Sequence, residues 1–349
     1  MKRHKTKSIA IGKVIVGGGA PVSVQSMTKT DTRDADATID QIHELEEAGC
    51  EIVRVAVPDK KAAKSLETIK SRISIPLIAD IHFNHRLALM AMDAGVDGLR
   101  INPGNIGTKE KVAEVVKKAS EHSTPIRIGV NAGSLEKDLL KKYGHPTPQA
   151  LVESALRHIT LLESYDFELI KVSLKASDVP STVAAYRLIA SKTHYPLHLG
   201  ITEAGPLLTG TVKSSVGLGI LLSEGIGDTI RVSLTAPPVE EVNVGYHILK
   251  ALKLRERGPT IISCPTCGRC EVDIETMVKE LEHRLRNEKK PLTIAVMGCV
   301  VNGPGEAREA DLGIAAGKHS GLLFKKGKPL GKVASESLVE RLIAEINNY

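Results

Sequence analysis

Three short apolar runs follow one another early in the chain: Ile52-Val-Arg-Val-Ala-Val57, Pro76-Leu-Ile-Ala-Asp-Ile81 and Gly98-Leu-Arg-Ile101. Each is rich in β-branched residues, and each is followed by a segment whose apolar residues recur at helical spacing. A similar helical segment, residues 36–49, precedes the first run and ends on glycine, a common helix stop. Strands and helices therefore alternate in this part of the chain.

Five further runs extend this alternation to about residue 250: residues 22–27, 126–130, 169–173, 197–201 and 229–233. Eight parallel strands joined by crossover helices can close into a barrel that has no sheet edge. We therefore predict an α/β fold with a (β/α)8 TIM barrel. An open doubly wound sheet is the alternative, but no Gly-x-Gly-x-x-Gly follows the first strand.

The pattern changes at Gly258-Pro259, which interrupts the alternation. Beyond it we predict a strand at 260–263, a helix at about 272–286, a strand at 292–297, short strands within 312–333 and a last helix at about 335–347. The prediction is thus a barrel domain over residues 1–255 and a smaller α+β domain over residues 256–349.

Composition limits the function classes. The chain has 42% hydrophobic residues and a net charge of +6, and it contains no apolar run near the ~20 residues of a membrane span. No signal peptide is recognisable, so we expect a cytoplasmic protein. The basic residues are dispersed and tryptophan is absent, which favours small anionic substrates over nucleic acid.

Cationic residues recur in or just after the predicted barrel strands, whose carboxyl ends face the active site in TIM barrels. They are Arg54, Arg100, Arg127, Lys171 or Lys175, and Arg231. Any one of them could form a structural ion pair. Several guanidinium groups on one rim, however, suit a diphosphate, because arginine grips phosphate oxygens in a bidentate way.

Other polar residues lie at the same strand ends. Candidate substrate contacts are Asp80, His82, Asn102, Asn131 and Ser233. Glu203 is the candidate for proton transfer, because it is a carboxylate located where a strand gives way to a loop. His198 lies within a strand and is interpreted as a core residue.

Four of the five cysteines lie in the last quarter of the chain, as Cys264-Pro-Thr-Cys267-Gly-Arg-Cys270 and as Cys299 before a Gly-Pro-Gly turn. An odd count in a chain of this size argues against a disulfide scaffold. Four thiolates could hold a structural zinc ion. Three closely spaced cysteines with a distant fourth ligand are more typical of an iron–sulfur cluster.

Six motifs together closely resemble the family of bacterial 4-hydroxy-3-methylbut-2-enyl diphosphate synthases, and the resemblance runs nearly end to end. They are Gln25-Ser-Met-Thr, Ala79-Asp-Ile-His82-Phe, Arg100-Ile-Asn-Pro-Gly104, Val172-Ser-Leu-Lys175-Ala-Ser, Ser263-Cys-Pro-Thr-Cys267-Gly-Arg and Gly298-Cys-Val-Val-Asn-Gly-Pro-Gly-Glu306-Ala.

The resemblance implies an oxidoreductase of the non-mevalonate isoprenoid pathway. Its reaction would be the two-electron reductive ring opening and dehydration of 2-C-methyl-D-erythritol 2,4-cyclodiphosphate. It also implies a [4Fe-4S] cluster in the smaller domain, held by Cys264, Cys267, Cys299 and Glu306. Local spacing alone would have selected Cys270 as a ligand, and the family motif leaves it out.

The resemblance further implies a head-to-tail homodimer in which the cluster of one subunit serves the barrel mouth of the other. Reduced flavodoxin or ferredoxin would supply the electrons, since the chain shows no nucleotide-binding fingerprint. Two other interpretations stay open on the residues alone. One is a pterin- or phosphate-handling barrel with a structural zinc domain, and the other is a non-catalytic zinc-bearing interaction protein.

Overall fold

The computed structural model describes residues 3–176, 178–286, 288–299, 305 and 308–349. The chain divides into two compact units, Met1–Arg255 and Glu256–Tyr349. Among the described helices, none combines the length and the apolar character needed to cross a membrane.

The first unit is a closed barrel preceded by a hairpin. Its strands are β1 (Ile9–Ile11), β2 (Val14–Val16), β3 (Ser23–Met27), β4 (Ile52–Ala56), β5 (Leu77–Asp80), β6 (Gly98–Ile101), β7 (Ile126–Asn131), β8 (Ile170–Lys175), β9 (His198–Leu199) and β10 (Thr229–Ile230). Strands β3 to β10 form one parallel eight-stranded sheet. A bridge between Val172 and Leu197 closes the ring, which confirms the predicted TIM barrel.

Helices follow the strands as predicted. They are α1 (Ala35–Ala48), α2 (Lys60–Arg72), α3 (His85–Asp93), α4 (Pro103–Ile106), α5 (Lys109–Glu121), α6 (Lys137–Tyr143), α7 (Pro148–Glu163), α8 (Val179–Ala190), α9 (Leu207–Ser223) and α10 (Pro238–Ala251). The local signals explain their ends. In α1 the Asp34 side chain accepts the Ala37 N–H, and Gly49 ends the helix at φ 94°.

The last two barrel strands are shorter than predicted. The runs at 197–201 and 229–233 form ladders of only two residues each, in β9 and β10. Just beyond the ladder the two backbones approach closely, since a Cβ on Gly200 would lie 2.8 Å from the Arg231 carbonyl oxygen. The residues after each ladder, 200–201 and 231–233, belong to the loops of the barrel mouth.

The hairpin β1–β2 packs across the amino-terminal end of the barrel, a feature absent from the sequence prediction. Ile9, Ile11 and Val16 form one buried cluster with Ile52 of β4 and Ile78 of β5. This apolar cluster closes the end of the barrel opposite the strand termini that carry the predicted site.

The second unit has a five-stranded mixed sheet, which confirms the predicted α+β domain. Its elements are β11 (Thr260–Ser263), α11 (Ile274–Arg284), β12 (Thr293–Met297), β13 (Leu312–Ala315), β14 (Ser320–Lys325), β15 (Lys328–Ala334) and α12 (Leu338–Asn347). β11, β12 and β13 are parallel neighbours, and β14 and β15 add antiparallel strands. The helices bury Leu281 and Leu342 against Ile294 of β12.

Candidate active site

The inside of the barrel carries far more positive than negative charge. Six cationic side chains lie on or just after the strands: Arg54, Arg100, Arg127, Lys171, Lys175 and Arg231. Their ion pairs within the described residues go to two carboxylates, Asp80 and Glu241. A charge excess of this kind, behind a low-dielectric wall, attracts an anion.

Asp80 is the centre of the cluster. Its carboxylate lies 3.4 Å from Arg54 Nε, 3.1 Å from Arg100 Nη1 and 3.7 Å from His82 Nε2. Burial alone would raise the pKa of Asp80. The Arg54 charge, the nearby His82 imidazole and the Arg100 charge outweigh burial and hold that pKa well below its usual range. Asp80 is therefore a fixed anion that orients two arginines.

Arg127 is the most unusual of these cations. It is 1% exposed, and none of its three guanidinium nitrogens has a hydrogen-bond partner among the described residues. Burial, together with the Arg54 and Arg100 charges, lowers its pKa well below the ordinary value. A buried, unpartnered guanidinium is costly, and an anion bound beside it would offset that cost.

Lys171 and Lys175 both belong to β8. Lys171 is 1% exposed and its Nζ has no hydrogen-bond partner in the described part of the chain, whereas Lys175 ends the strand and is partly buried. Burial lowers the pKa of Lys175 well below its usual value, and the charges of Arg54 and Arg127 lower it further. Lys175 therefore lies at the mouth, as predicted. Lys171 lies four residues earlier on the same strand and so deeper in the barrel.

Glu241 was missed by the sequence analysis. It lies in the first turn of α10, is 2% exposed, and accepts the Leu234 N–H at 3.0 Å. Its carboxylate is also 3.3 Å from Lys29 Nζ and 3.5 Å from Arg231 Nη2. Glu241 thereby anchors the loop after β10. Because Glu241 lies on a helix, the pattern of polar residues at strand ends gives no signal for it.

The other predicted site residues also follow the strands. Asn102 is buried, but its Oδ1 accepts the Gly104 N–H at 3.1 Å as the cap of α4. Asn131 ends β7 beside Lys175, to which it is paired in register. Ser233 is partly buried in the loop after β10.

Two of the predicted residues are accessible at the mouth. The His82 side chain is 53% exposed. Glu203 is exposed in the loop after β9, and its φ of 55° lies in the left-handed region, which is uncommon for a glutamate. Such strained backbone positions cluster at functional sites.

The cysteines of the second unit lie at the carboxyl ends of two neighbouring parallel strands. Cys264 follows β11 and Cys299 follows β12. The Cys264 N–H donates to the Val296 carbonyl at 3.2 Å, and the Cys264 Sγ accepts the Gly298 N–H at 3.3 Å. The two cysteines therefore lie at the same end of the second sheet.

Cys267 lies in the exposed turn between Cys264 and Cys270. A hydrogen bond from the Arg269 backbone, another from its side chain and the Arg269 charge lower the pKa of Cys267, while the nearby Cys299 opposes the shift. This environment favours a thiolate at the predicted ligand.

Cys270 makes different contacts from those of Cys264 and Cys267. Its Sγ donates to the Val272 carbonyl at 3.1 Å and packs against the core of the second unit. A Cβ added to Gly298 would lie 2.4 Å from this sulfur. These contacts describe a packing thiol and favour the ligand set without Cys270.

The described residues contain no group of three His, Cys, Asp or Glu side chains already arranged to hold a metal ion. The predicted fourth ligand, Glu306, lies outside the described residues. The ligand set Cys264, Cys267, Cys299 and Glu306 therefore stays a prediction. It is supported by the position of Cys264 and Cys299 after neighbouring parallel strands and by the lowered pKa of Cys267.

Comparison with known structures extends the barrel assignment. The chain is similar to dihydropteroate synthase from Yersinia pestis, with a TM-score of 0.51, 14% identity, and coverage of 72% of this chain and 100% of that one. The enzyme from Xanthomonas albilineans matches with a TM-score of 0.50 and 12% identity, over 70% of this chain and 98% of that one. At such identities the likeness shows the fold alone.

Sequence comparisons are more specific. The model described as the GcpE TIM-barrel domain matches residues 6–246, and the GcpE protein C-terminal domain matches residues 260–348. A protein of Thermodesulfovibrio yellowstonii named 4-hydroxy-3-methylbut-2-en-1-yl diphosphate synthase (flavodoxin) is 65% identical over 99% of both chains. A Geobacter sulfurreducens protein of the same name is 62% identical over 99% of this chain and 98% of its own. This chain therefore belongs to the GcpE family.

Proposed function

We propose that this protein is an oxidoreductase that converts 2-C-methyl-D-erythritol 2,4-cyclodiphosphate to 4-hydroxy-3-methylbut-2-en-1-yl diphosphate. The relatives that match end to end are named as synthases of that product. The observation that carries the proposal is the buried Arg127, which has no hydrogen-bond partner in the described chain and lies among five further cations. A cyclic diphosphate supplies the charge that this cluster lacks.

The reaction generates negative charge on the phosphate that the barrel cations are proposed to bind. The ring opens when the bond from C2 to the phosphate oxygen breaks, and the C3 hydroxyl leaves as water after taking up one proton. Two electrons enter, the C2–C3 double bond forms, and the phosphate gains one negative charge. Arg54, Arg100, Arg127, Lys175 and Arg231 bind the diphosphate and stabilise that new charge. Asp80 keeps Arg54 and Arg100 oriented.

The polar residues at the mouth complete the substrate site. His82, Asn102, Asn131 and Ser233 supply hydrogen bonds to the ring hydroxyls and phosphates. Glu203 is the proposed proton donor at the leaving C3 hydroxyl, since its carboxyl is accessible in the loop after β9.

A [4Fe-4S] cluster in the second unit, residues 256–349, would be held by Cys264, Cys267, Cys299 and Glu306. When bound, it supplies the two electrons to the reaction one at a time. The donor set fits such a cluster, because three thiols lie near the carboxyl ends of neighbouring parallel strands. An oxygen ligand at the fourth position binds iron less strongly than thiolate does.

The proposed partners follow from the same chemistry. Reduced flavodoxin or ferredoxin is the electron donor, and the names of the relatives specify flavodoxin. The proposed setting is the cytoplasm, where thiols remain reduced. The proposed assembly is a head-to-tail homodimer, in which the cluster of one subunit serves the barrel mouth of its partner.

An anaerobic assay tests the proposed activity. Protein purified without oxygen is expected to contain about four irons and four sulfides per chain, and to open the cyclic diphosphate with dithionite as reductant. A colourless, zinc-loaded and inactive protein would support the structural-zinc interpretation and contradict the proposal.

Mixing two inactive variants tests the dimer. Arg127→Met removes a barrel cation and Cys267→Ala removes a cluster ligand, so each alone is expected to be inactive. If the two sites come from different subunits, mixed dimers contain one intact pair and regain up to about a quarter of wild-type activity. If each chain uses its own cluster, the mixture stays inactive.

A further inference from the structure

Three cations occupy one row across adjacent barrel strands. Arg100 of β6 pairs in register with Arg127 of β7, and Arg127 pairs with Lys171 of β8. Their chain neighbours, including Leu99, Ile126 and Val172, belong to the core between barrel and helices. Because successive side chains alternate across a strand, the row points into the barrel. The proposed function assigns Arg100 and Arg127 to the diphosphate, and Lys171 has no assigned role.

The groups that face Lys171 come from four strands or strand ends. Arg127 of β7 and Arg54 of β4 are cations, and His198 of β9 is buried beside them. Asp228, just before β10, is the one carboxylate among the groups acting on Lys171 in the described chain. It already accepts the Leu197 N–H at 2.9 Å and pairs with Arg3 at 3.0 Å.

This environment disfavours an ammonium ion in the empty barrel. Burial is the largest influence that lowers the pKa of Lys171 well below its usual value, followed by the Arg127 charge. His198 supplies no counter-charge, since an imidazole is either neutral or cationic; burial and the Arg127 charge lower its pKa and favour the neutral ring. The Lys171 Nζ also has no hydrogen-bond partner among the described residues. The ammonium form of Lys171, buried and without a partner in the described chain, is therefore disfavoured when no anion is present.

We propose that Lys171 takes up a proton when an anionic diphosphate binds at the barrel mouth, so that substrate binding and protonation of this amine are coupled. The proposal rests on the proposed function for the identity of the anion. An anion beside Arg127 offsets the cationic charge acting on Lys171 and so favours its ammonium form. The added charge then helps to hold the diphosphate, including the negative charge that it gains on ring opening.

The coupling has a definite pH dependence. Below the Lys171 pKa of the empty protein, the amine is charged before and after binding and no proton is taken up. Between that pKa and the higher pKa of the complex, up to one proton is taken up and the substrate dissociation constant rises with pH, by up to about tenfold per unit. The cyclic diphosphate contributes no proton here, because each of its phosphate groups keeps only one strongly acidic hydroxyl.

Calorimetry of binding measures this proton directly. The cyclic diphosphate is titrated into the cluster-loaded protein without reductant, in buffers of equal pH and different ionisation enthalpy. The slope of binding enthalpy against buffer ionisation enthalpy gives the protons taken up. Two variants fix the charge of the side chain at position 171. Lys171→Met is never charged, and Lys171→Arg is charged both before and after binding. We expect wild type to exceed both variants by up to one proton within the coupled pH range.

The outcomes separate the inference from the proposed function. Failure of the wild type to bind the cyclic diphosphate would overturn both. Binding with the same proton uptake in wild type, Lys171→Met and Lys171→Arg would overturn only the role of Lys171. His198→Gln is the matched control within the same layer. Loss of the proton in His198→Gln, with its retention in both Lys171 variants, would assign the uptake to His198 and contradict the proposal.

Discussion

At the scale of single residues, the cations of the site differ in whether a carboxylate is paired with them. Asp80 compensates Arg54 and Arg100, Glu241 compensates Arg231, and Arg127 has no such partner in the described chain. The cations were predictable, because a charge inside an apolar strand stands out in sequence. Glu241 was not, because its position on α10 shows only in three dimensions.

Replacing Arg127 should lower activity without lowering thermal stability. We expect Arg127→Met to lower kcat/KM by about 100-fold or more, or about 2.7 kcal/mol, because a charge-assisted contact to the diphosphate is lost. The thermal midpoint should be unchanged or higher, since a buried unpaired charge is removed. Kinetics and thermal unfolding of the same preparation measure both effects.

Arg187→Met is the matched control for this change. Arg187 is a surface arginine on α8, 54% exposed in its side chain and paired with Glu224. Exposed pairs of this kind contribute about 0–1 kcal/mol, so activity and stability should both be close to wild type. Equal loss of activity in the two variants would contradict the role given to Arg127.

At the scale of elements, the turn after β12 has little room for change. The Gly298 N–H donates to Cys264 Sγ, its carbonyl accepts the Glu271 N–H, and an added Cβ would lie 2.4 Å from Cys270 Sγ. We expect Gly298→Ala to displace the cysteine turn and to lower iron content and activity together. Metal analysis and the visible absorption of anaerobic protein check this.

Gly268→Ala provides the comparison within the same cysteine segment. A Cβ at Gly268 would meet no heavy atom within 4 Å, and Gly268 is not among the glycines with positive φ. Iron content should therefore stay at the wild-type level. An iron-replete Gly298→Ala protein would show that the turn tolerates the added methyl group and that its geometry is not as restrictive as proposed.

The hairpin β1–β2 is the second element with a testable role. Ile11 is 1% exposed against Ile52 and Ile78, whereas Ile15 on the same hairpin is 51% exposed. Ile11→Ala should reduce the free energy of unfolding by about 2–5 kcal/mol, and Ile15→Ala by less than about 0.5 kcal/mol. Urea denaturation measures both. Equal, small losses would show that the hairpin does not stabilise the barrel.

The barrel strands and the hairpin differ in how far sequence predicts them. The eight strands repeat one pattern, so each run supports the interpretation of the others. The hairpin has only a few apolar residues in two short strands, and its packing partners are far away in sequence. Its place at the closed end of the barrel could be found only from the structure.

At the scale of the whole molecule, periodicity and composition predicted the barrel and the α+β domain, and the structure confirms both. Cysteine spacing alone predicted a metal site but would have included Cys270. The family motif excludes that residue, and the exclusion stays a prediction; the Cys270 thiol donates to the Val272 carbonyl. The carboxylate of Glu306 could be proposed only from the family resemblance, because a lone glutamate has no distinctive spacing.

As a whole, the molecule is proposed to use electrons to open a diphosphate ring. An anaerobic titration of enzyme and excess cyclic diphosphate with dithionite, with the product counted by phosphorus NMR, measures this. Each ring opened should consume two electrons, and no ring should open without reductant. Ring opening that consumes no electrons, or no opening by iron-replete protein with excess dithionite, would contradict the proposed activity.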